Sequence, residues 1–293
     1  MYWGKKAKPV NREDIQGIVA SGYDHLDHAR FVFLKIVNRE AAKHWLSNIL
    51  EQITTAEYPG DHKSDSCLNL AVSWPGLREL GVSELVHDFP HEFVEGMNRK
   101  NANLILGDLG ESSDEHWDYG GDAAKPLHVL LLLYGKTVSD MQLLQHQIYR
   151  PSAFVDGLRI VALQDDFRKP RDYTEPFGFR DGISQPPVEG LVGRQDSQSE
   201  HPISTGEFVL GYKNELSQFT RIPSVSNWDD PRGYLCDHPE SPGRCRAFGL
   251  NGTYLVFRKL VQNVSAFWAY IDEMSRDPNP QDIPTTIGSR RAA

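Results

Sequence analysis

The sequence has only three cysteines among its 293 residues: Cys67, Cys236 and Cys245. That is too few for the disulfide framework of a small secreted domain and fits a reducing compartment. Cys236, His238 and Cys245 lie close enough together to raise a zinc site. A structural zinc takes four ligands, however, and no Cys or His follows Cys245, so no metal-ligand set is identified. No block of Lys or Arg stands out: 31 basic residues face 40 acidic ones, for a net charge of −9. The electrostatic footprint for nucleic acid or an anionic membrane is therefore missing. No apolar run approaches the roughly 18 residues of a membrane-spanning helix. The opening "MYWGKKAKPVNRED" lacks the apolar centre of a secretory signal. Together these absences predict a soluble cytoplasmic protein with no membrane or nucleic-acid partner. In that setting the sequons at Asn251 and Asn263 would stay unmodified.

Enough hydrophobic sequence is present, 39% with 10% aromatics, to build a packed core. "RFVFLKIV" (Arg30–Val37) is a short, nearly continuous apolar run, as in a strand covered on both faces. Asn38 offers an N-cap, and Ala42, Trp45, Leu46, Ile49, Leu50 and Ile53 recur at helical spacing. "LNLAVSW" reads as a second strand, Pro75 opens a short helix that Gly81 closes, and a helical patch lies around Phe89 to Met97. "LHVLLLLY" (Leu127–Tyr134) gives a third strand, "SDMQLLQHQIY" a helix capped by Ser139, and "GLRIVAL" (Gly157–Leu163) a fourth strand. The order β-α-β-β-α-β is that of the ferredoxin-like unit, an α+β sheet with one face covered by two helices.

"GEFVLGYKNE" (Gly206–Glu215) then reads as a strand leaving a turn, and Leu216 to Arg246 as a long loop. "TYLVFRKLVQNVSAFWAYIDEM" (Thr253–Met274) repeats the pattern of the first strand and helix. Placing Phe31 on Tyr254 brings Trp45 onto Trp268 without a gap. The expected organisation is a first unit over 1–170, a connecting region over 171–250, and a strand and helix opening a second unit over 251–293. Nothing in "SRDPNPQDIPTTIGSRRAA" supplies further strands, so the second unit is expected to be incomplete. Its Val264, Phe267, Trp268, Ile271 face is then expected to be uncovered, favouring association of copies into a homo-oligomer. A chain lacking its C-terminal part is the favoured explanation.

Between the two repeats sits "PFGFRDGISQPPVEG", which places Asp181 beside Arg180 and Gly182, with Gly178 upstream. Asp and Gly are turn residues, so a surface Asx-turn is the plain reading. A carboxylate aimed for proton transfer is the sharper one. "GFRDG" (Gly178–Gly182) resembles the GxxDG signature of the dye-decolorizing (DyP-type) haem peroxidases. Other segments resemble that family in the same order: "DIQGIV", "HARFVFLKI", "ILGDLGESSDEHW", "GEFVLGYKNE" and "NGTYLVFRKL".

The resemblance implies tandem ferredoxin-like units of the dimeric α+β barrel type, haem b as cofactor, and hydrogen peroxide and aromatic electron donors as substrates. It implies that Asp181 is the distal acid–base, passing a proton between the two peroxide oxygens so that the O–O bond breaks heterolytically. Gly178 and Gly182 would set its turn, and Arg180 would be a charge partner for Asp181 or for a haem propionate. The family also holds its iron with a proximal His and uses a distal Arg, both in the later part of the second unit. No His follows His238 here, and no downstream Arg has a matching context, so no iron ligand is identified. A second reading therefore stands beside the peroxidase: a haem-free, non-catalytic paralogue acting as a binding or assembly partner.

Overall fold

The computed structural model describes residues 10–57, 63–82, 84–98, 100–122, 124–167, 174–180, 187–191 and 202–276. The chain divides into two compact units. One comprises residues 1–168 with 186–255, and the other residues 169–185 with 256–293.

The first unit is built on β1 (His28–Ile36), α1 (Arg39–Ile49), β2 (Ser66–Val72), α2 (Trp74–Glu79), β3 (Val86–His87), α3 (His91–Glu95), α4 (Lys100–Leu106), β4 (Val129–Gly135), α5 (Val138–Tyr149), α6 (Ser152–Gly157) and β5 (Leu158–Phe167). Four of its strands form an antiparallel sheet in the order β2-β4-β1-β5, the ferredoxin-like arrangement that the sequence predicts. β1 is central: Phe31 lies opposite Leu132 on one side and Gln164 on the other.

Alternation along β1 sends Val32, Leu34 and Ile36 into the main core with Ala42, Trp45 and Ile49 of α1 and Met141, Leu144 and Ile148 of α5. Phe33 points to the other face and is buried as well, its ring 4.3 Å from that of Tyr119. That two-sided cover explains the unbroken apolar run.

The helix starts are fixed by side chains. Asn38 Oδ1 accepts from the Ala41 amide at 3.1 Å, as its cap position predicts. The cap of α5 is Thr137, not the expected Ser139. Thr137 Oγ1 accepts from the Asp140 amide while the Asp140 carboxylate accepts from the Thr137 amide. This reciprocal capping box holds the turn two residues earlier than the apolar spacing suggested. Within the core, Trp45 is fully buried and donates its indole N–H to the Ile148 carbonyl at 3.0 Å. His128 is also buried, and its Nδ1 accepts from the Ile36 amide at 3.1 Å.

Later segments of the same unit form a second sheet, β3-β6-β7, with β6 (Ser224–Ser226) and β7 (Cys245–Ala247) rising from the expected long loop. "GEFVLGYKNE" is not a strand. Thr205–Glu207 is a 3-10 turn, and a Cβ on Gly206 would lie 2.3 Å from the Lys213 carbonyl carbon. The chain doubles back on itself there, which only glycine permits. Val209 and Tyr212 are buried not on a sheet face but in a second cluster with Ile15, Ala56, Val188 and Leu191. Tyr212 Oη donates to Asn251 Oδ1 at 2.8 Å and accepts from the Asn11 amide at 3.0 Å. Asn251 Nδ2 in turn donates to Asp14 at 2.7 Å. Three distant segments that carry the family resemblance are thereby joined in one partly buried network.

The expected strand over 253–260 is absent. Residues 252–263 have no regular structure, because a strand exists only when a neighbour completes its ladder, and no described segment does so. In the second unit α7 (Val264–Met274) forms as predicted, its N-cap Asn263 accepting from the Ala266 amide at 3.0 Å. Among the described residues no helix is long and apolar enough to cross a membrane.

The Trp45 indole bond gives a direct test. Trp45→Phe keeps most of the packing but leaves the Ile148 carbonyl without this donor. It should lower stability by about 1–3 kcal/mol in urea denaturation. A loss below a few tenths would mean that the bond is incidental.

Candidate functional site

Residues 174–180 run directly up to Asp181. Asp181 and Gly182 themselves lie outside the described residues. The approach segment is a tight hairpin: Thr174 and Arg180 pair in an antiparallel bridge, and the Glu175 amide donates to the Phe179 carbonyl at 2.9 Å. Pro176 presets the turn, which the Gly178 amide closes by donating to the Glu175 carbonyl at 2.8 Å. Gly178 adopts φ +92°, in the left-handed half of backbone space. An added Cβ there would meet nothing within 4 Å, so the demand for glycine is conformational rather than steric.

The organising group of this turn is Glu175. Its Oε1 accepts from the Phe179 amide at 2.9 Å, and its Oε2 accepts from the Phe177 amide at 2.9 Å and from Gln262 Nε2 at 2.8 Å. Desolvation alone would raise this carboxyl. The hydrogen bonds from Phe177, Phe179 and Gln262 outweigh it and hold the group below the ordinary glutamate value.

Helix α7 meets the turn. Trp268 Nε1 donates to the Phe177 carbonyl at 3.1 Å. The Phe177 and Phe267 rings lie 4.7 Å apart, while Phe179 and Trp268 stack at 6.1 Å. The α7 face expected to be bare is thus partly covered, and Phe267 and Trp268 are half-buried. What covers them is the motif turn, which periodicity arguments about strands and helices do not consider.

Of the four predicted site residues, Gly178 sits in a turn at φ +92°, and Arg180 is exposed at the foot of the hairpin. Glu175 and Gln262 were missed by sequence reasoning. The available signal was a carboxylate placed just before a Pro-x-Gly turn, where converging amides need an acceptor.

A haem iron held by histidine needs an imidazole nitrogen free to reach it. Of the two histidines buried among the described residues, His128 takes the Ile36 amide on Nδ1. His238 takes the Glu240 amide on Nδ1 and lies 3.4 Å from the Ile222 carbonyl through Nε2. His25 and His28 are half-buried; His25 Nε2 lies 3.0 Å from the Ser64 carbonyl, while its buried Nδ1 makes no hydrogen bond and lies 3.7 Å from Asp24, and His44, His87, His91, His116 and His146 are exposed on the surface. A hollow of about 160 Å³ is lined by Gly206–Leu210 with Thr253 and Tyr254, and one of about 340 Å³ by Asp114, Glu115, Trp117, Gly121 and Asp122. Neither contains a histidine. Among the described residues no group of three or more His, Cys, Asp or Glu could hold a metal ion.

Comparison with known proteins finds similarity to the DyP-type peroxidases. The sequence is 29% identical over 243 residues to a dye-decolorizing peroxidase of Mycena epipterygia, covering 81% of this chain and 38% of that protein. It is 26% identical over 272 residues to a dye-decolorizing peroxidase of Mycetinis scorodonius, covering 90% of this chain and 46% of the relative. The chain is a relative of the DyP-type peroxidases.

Solved structures carry the same fold. An ancestral D-type dye-decolorizing peroxidase superposes with a TM-score of 0.59 at 24% identity, covering 73% of this chain and 47% of that one. A fungal DyP-type peroxidase from Auricularia auricula-judae gives 0.56 at 23% identity, covering 73% and 46%. No family model matches the sequence. The chain spans less than half the length of these DyP-type relatives.

Two outcomes test this geometry. Gly178→Ala places a side chain at φ +92°. It should destabilise the turn by about 1–2 kcal/mol, seen as faster amide exchange at residues 177–179. The depressed Glu175 value fixes the sign of the pH dependence: its contribution is complete above the unfolded glutamate range and is lost as pH falls through the lower folded value. Trp268 fluorescence should therefore change on acidification, and Glu175→Ala should abolish that transition.

Proposed function

We propose that this chain carries the acid–base half of a DyP-type peroxidase, which uses hydrogen peroxide to oxidise aromatic donors with haem b as cofactor. The observation that supports this most directly is the hairpin of residues 174–180. Its backbone is fixed by Glu175 and Gly178 up to the residue before Asp181. A carboxylate has a reference pKa of about 3.9 and can accept a proton at neutral pH, provided it is held within hydrogen-bond reach of its partner. In this reading Asp181 takes a proton from one peroxide oxygen and returns it to the other. Gly178 and Gly182 set the turn, and Arg180 balances charge beside it.

In this reading the iron ligand and the distal arginine belong to the later part of the second unit. We place residues 251–293 at the start of a second ferredoxin-like unit, with 171–250 as the connection from the first over 1–170. Few cysteines and a net negative charge support a cytoplasmic setting without nucleic-acid partners. The half-exposed face of α7 makes a homo-oligomer the expected association.

One observation favours a second reading, a haem-free binding or assembly partner: both histidines buried among the described residues are occupied by backbone groups. Titrating the purified full chain with haemin separates the two. A Soret band with peroxide-dependent oxidation of a phenol, reduced about 10²–10⁴-fold by Asp181→Asn, supports the peroxidase. No Soret band and no turnover reject independent peroxidase activity and leave the haem-free partner.

A further inference from the structure

Three successive backbone amides converge on one residue. Those of Phe177 and Phe179 donate to the two carboxylate oxygens of Glu175, and that of Gly178 donates to its carbonyl. Pro176, the remaining residue of the turn, has no amide to satisfy. Without the carboxylate, the Phe177 and Phe179 amides would have to be satisfied by water, and Glu175 would keep only its main-chain bonds to Phe179 and Gly178.

The same carboxylate reaches beyond the turn. Gln262 lies one residue before the α7 cap, Asn263, and donates to Glu175 Oε2. From the first turns of α7, Trp268 donates back to the Phe177 carbonyl. The α7 segment thus holds the turn through two hydrogen bonds that it donates, with Phe177, Phe179, Phe267 and Trp268 packed between them.

We infer that Glu175 is a positioning residue: it fixes the turn that delivers Asp181 and, through Gln262, makes that turn dependent on the docking of α7. The inference rests on reading Asp181 as the acid–base. Its physical basis is the narrow tolerance of proton transfer, in which a displacement of about 1 Å can cost on the order of 10²-fold in rate. Arg180 is held by its bridge to Thr174 at the foot of the hairpin. Loosening the turn therefore frees the backbone immediately before Asp181. Glutamine at 175 retains one acceptor oxygen and alanine retains none, so the two substitutions grade the effect.

The test is NMR on the full chain with ¹³C-labelled aspartate carboxyls, comparing Glu175→Gln, Glu175→Ala and Gln262→Ala with the parent. The expected result is amide exchange at Phe177 and Phe179 accelerated about tenfold or more in Glu175→Ala, less in Glu175→Gln, with the Ala266 amide of α7 spared. The Asp181 carboxyl should titrate at a shifted pH in the same order, while Asp165, which is paired with Arg30 at a distance along the sheet, stays unchanged. Gln262→Ala should reproduce the weaker effect.

Faster exchange with an unmoved Asp181 titration in both Glu175 variants would reduce Glu175 to a structural brace and overturn the inference. So would unchanged exchange in Glu175→Ala. These signals do not require turnover. If they move as expected while the parent chain shows no peroxidase activity with haemin, the coupling stands and the peroxidase reading falls.

Discussion

β1 holds the first unit together because both of its edges are paired and both of its faces are covered. Its amides and carbonyls find partners in β4 and β5, its Val32, Leu34 and Ile36 side chains fill the helical core, and Phe33 fills the opposite side against Tyr119. A main-chain amide withdrawn from water must find an acceptor, and much of the architecture shows how each segment meets that demand. Strands meet it with strands, and α5 with a threonine–aspartate exchange. The motif turn, too short for either, meets it with one glutamate.

The alternative is visible at residues 252–263. The apolar pattern there matches β1, yet no ladder forms, and Val256, Leu260 and Val261 face solvent. A similar apolar pattern gives a central strand in one place and irregular backbone in the other. Strand formation belongs to the pair and not to the segment, which is why β-propensity transfers poorly between contexts.

That difference also marks how far the sequence could be read. The four strands, the two long helices and the Asn38 cap were legible, since each announces itself by periodicity or by a residue with one local role. The Thr137 cap was hidden by an equally plausible serine two positions on. The fold-back at Gly206 was hidden because alternating apolar residues look alike whether or not a sheet buries them. At the site, Gly178 was legible from its turn, whereas Glu175 and Gln262 were not. Their importance comes from three-dimensional convergence of amides across 87 positions of sequence separation. Histidine chemistry was legible mainly by elimination, and the buried rings of His128 and His238 turn out to brace backbone.

The two tryptophans aligned by the internal repeat have a common chemical habit. Trp45 gives its indole hydrogen to a carbonyl near the end of α5, and Trp268 gives its own to a carbonyl of the motif turn. A large side chain with one polar atom asks little of its neighbour beyond a carbonyl and a flat surface, so the same residue type fastens a helix end in one unit and a glycine-bearing turn in the other.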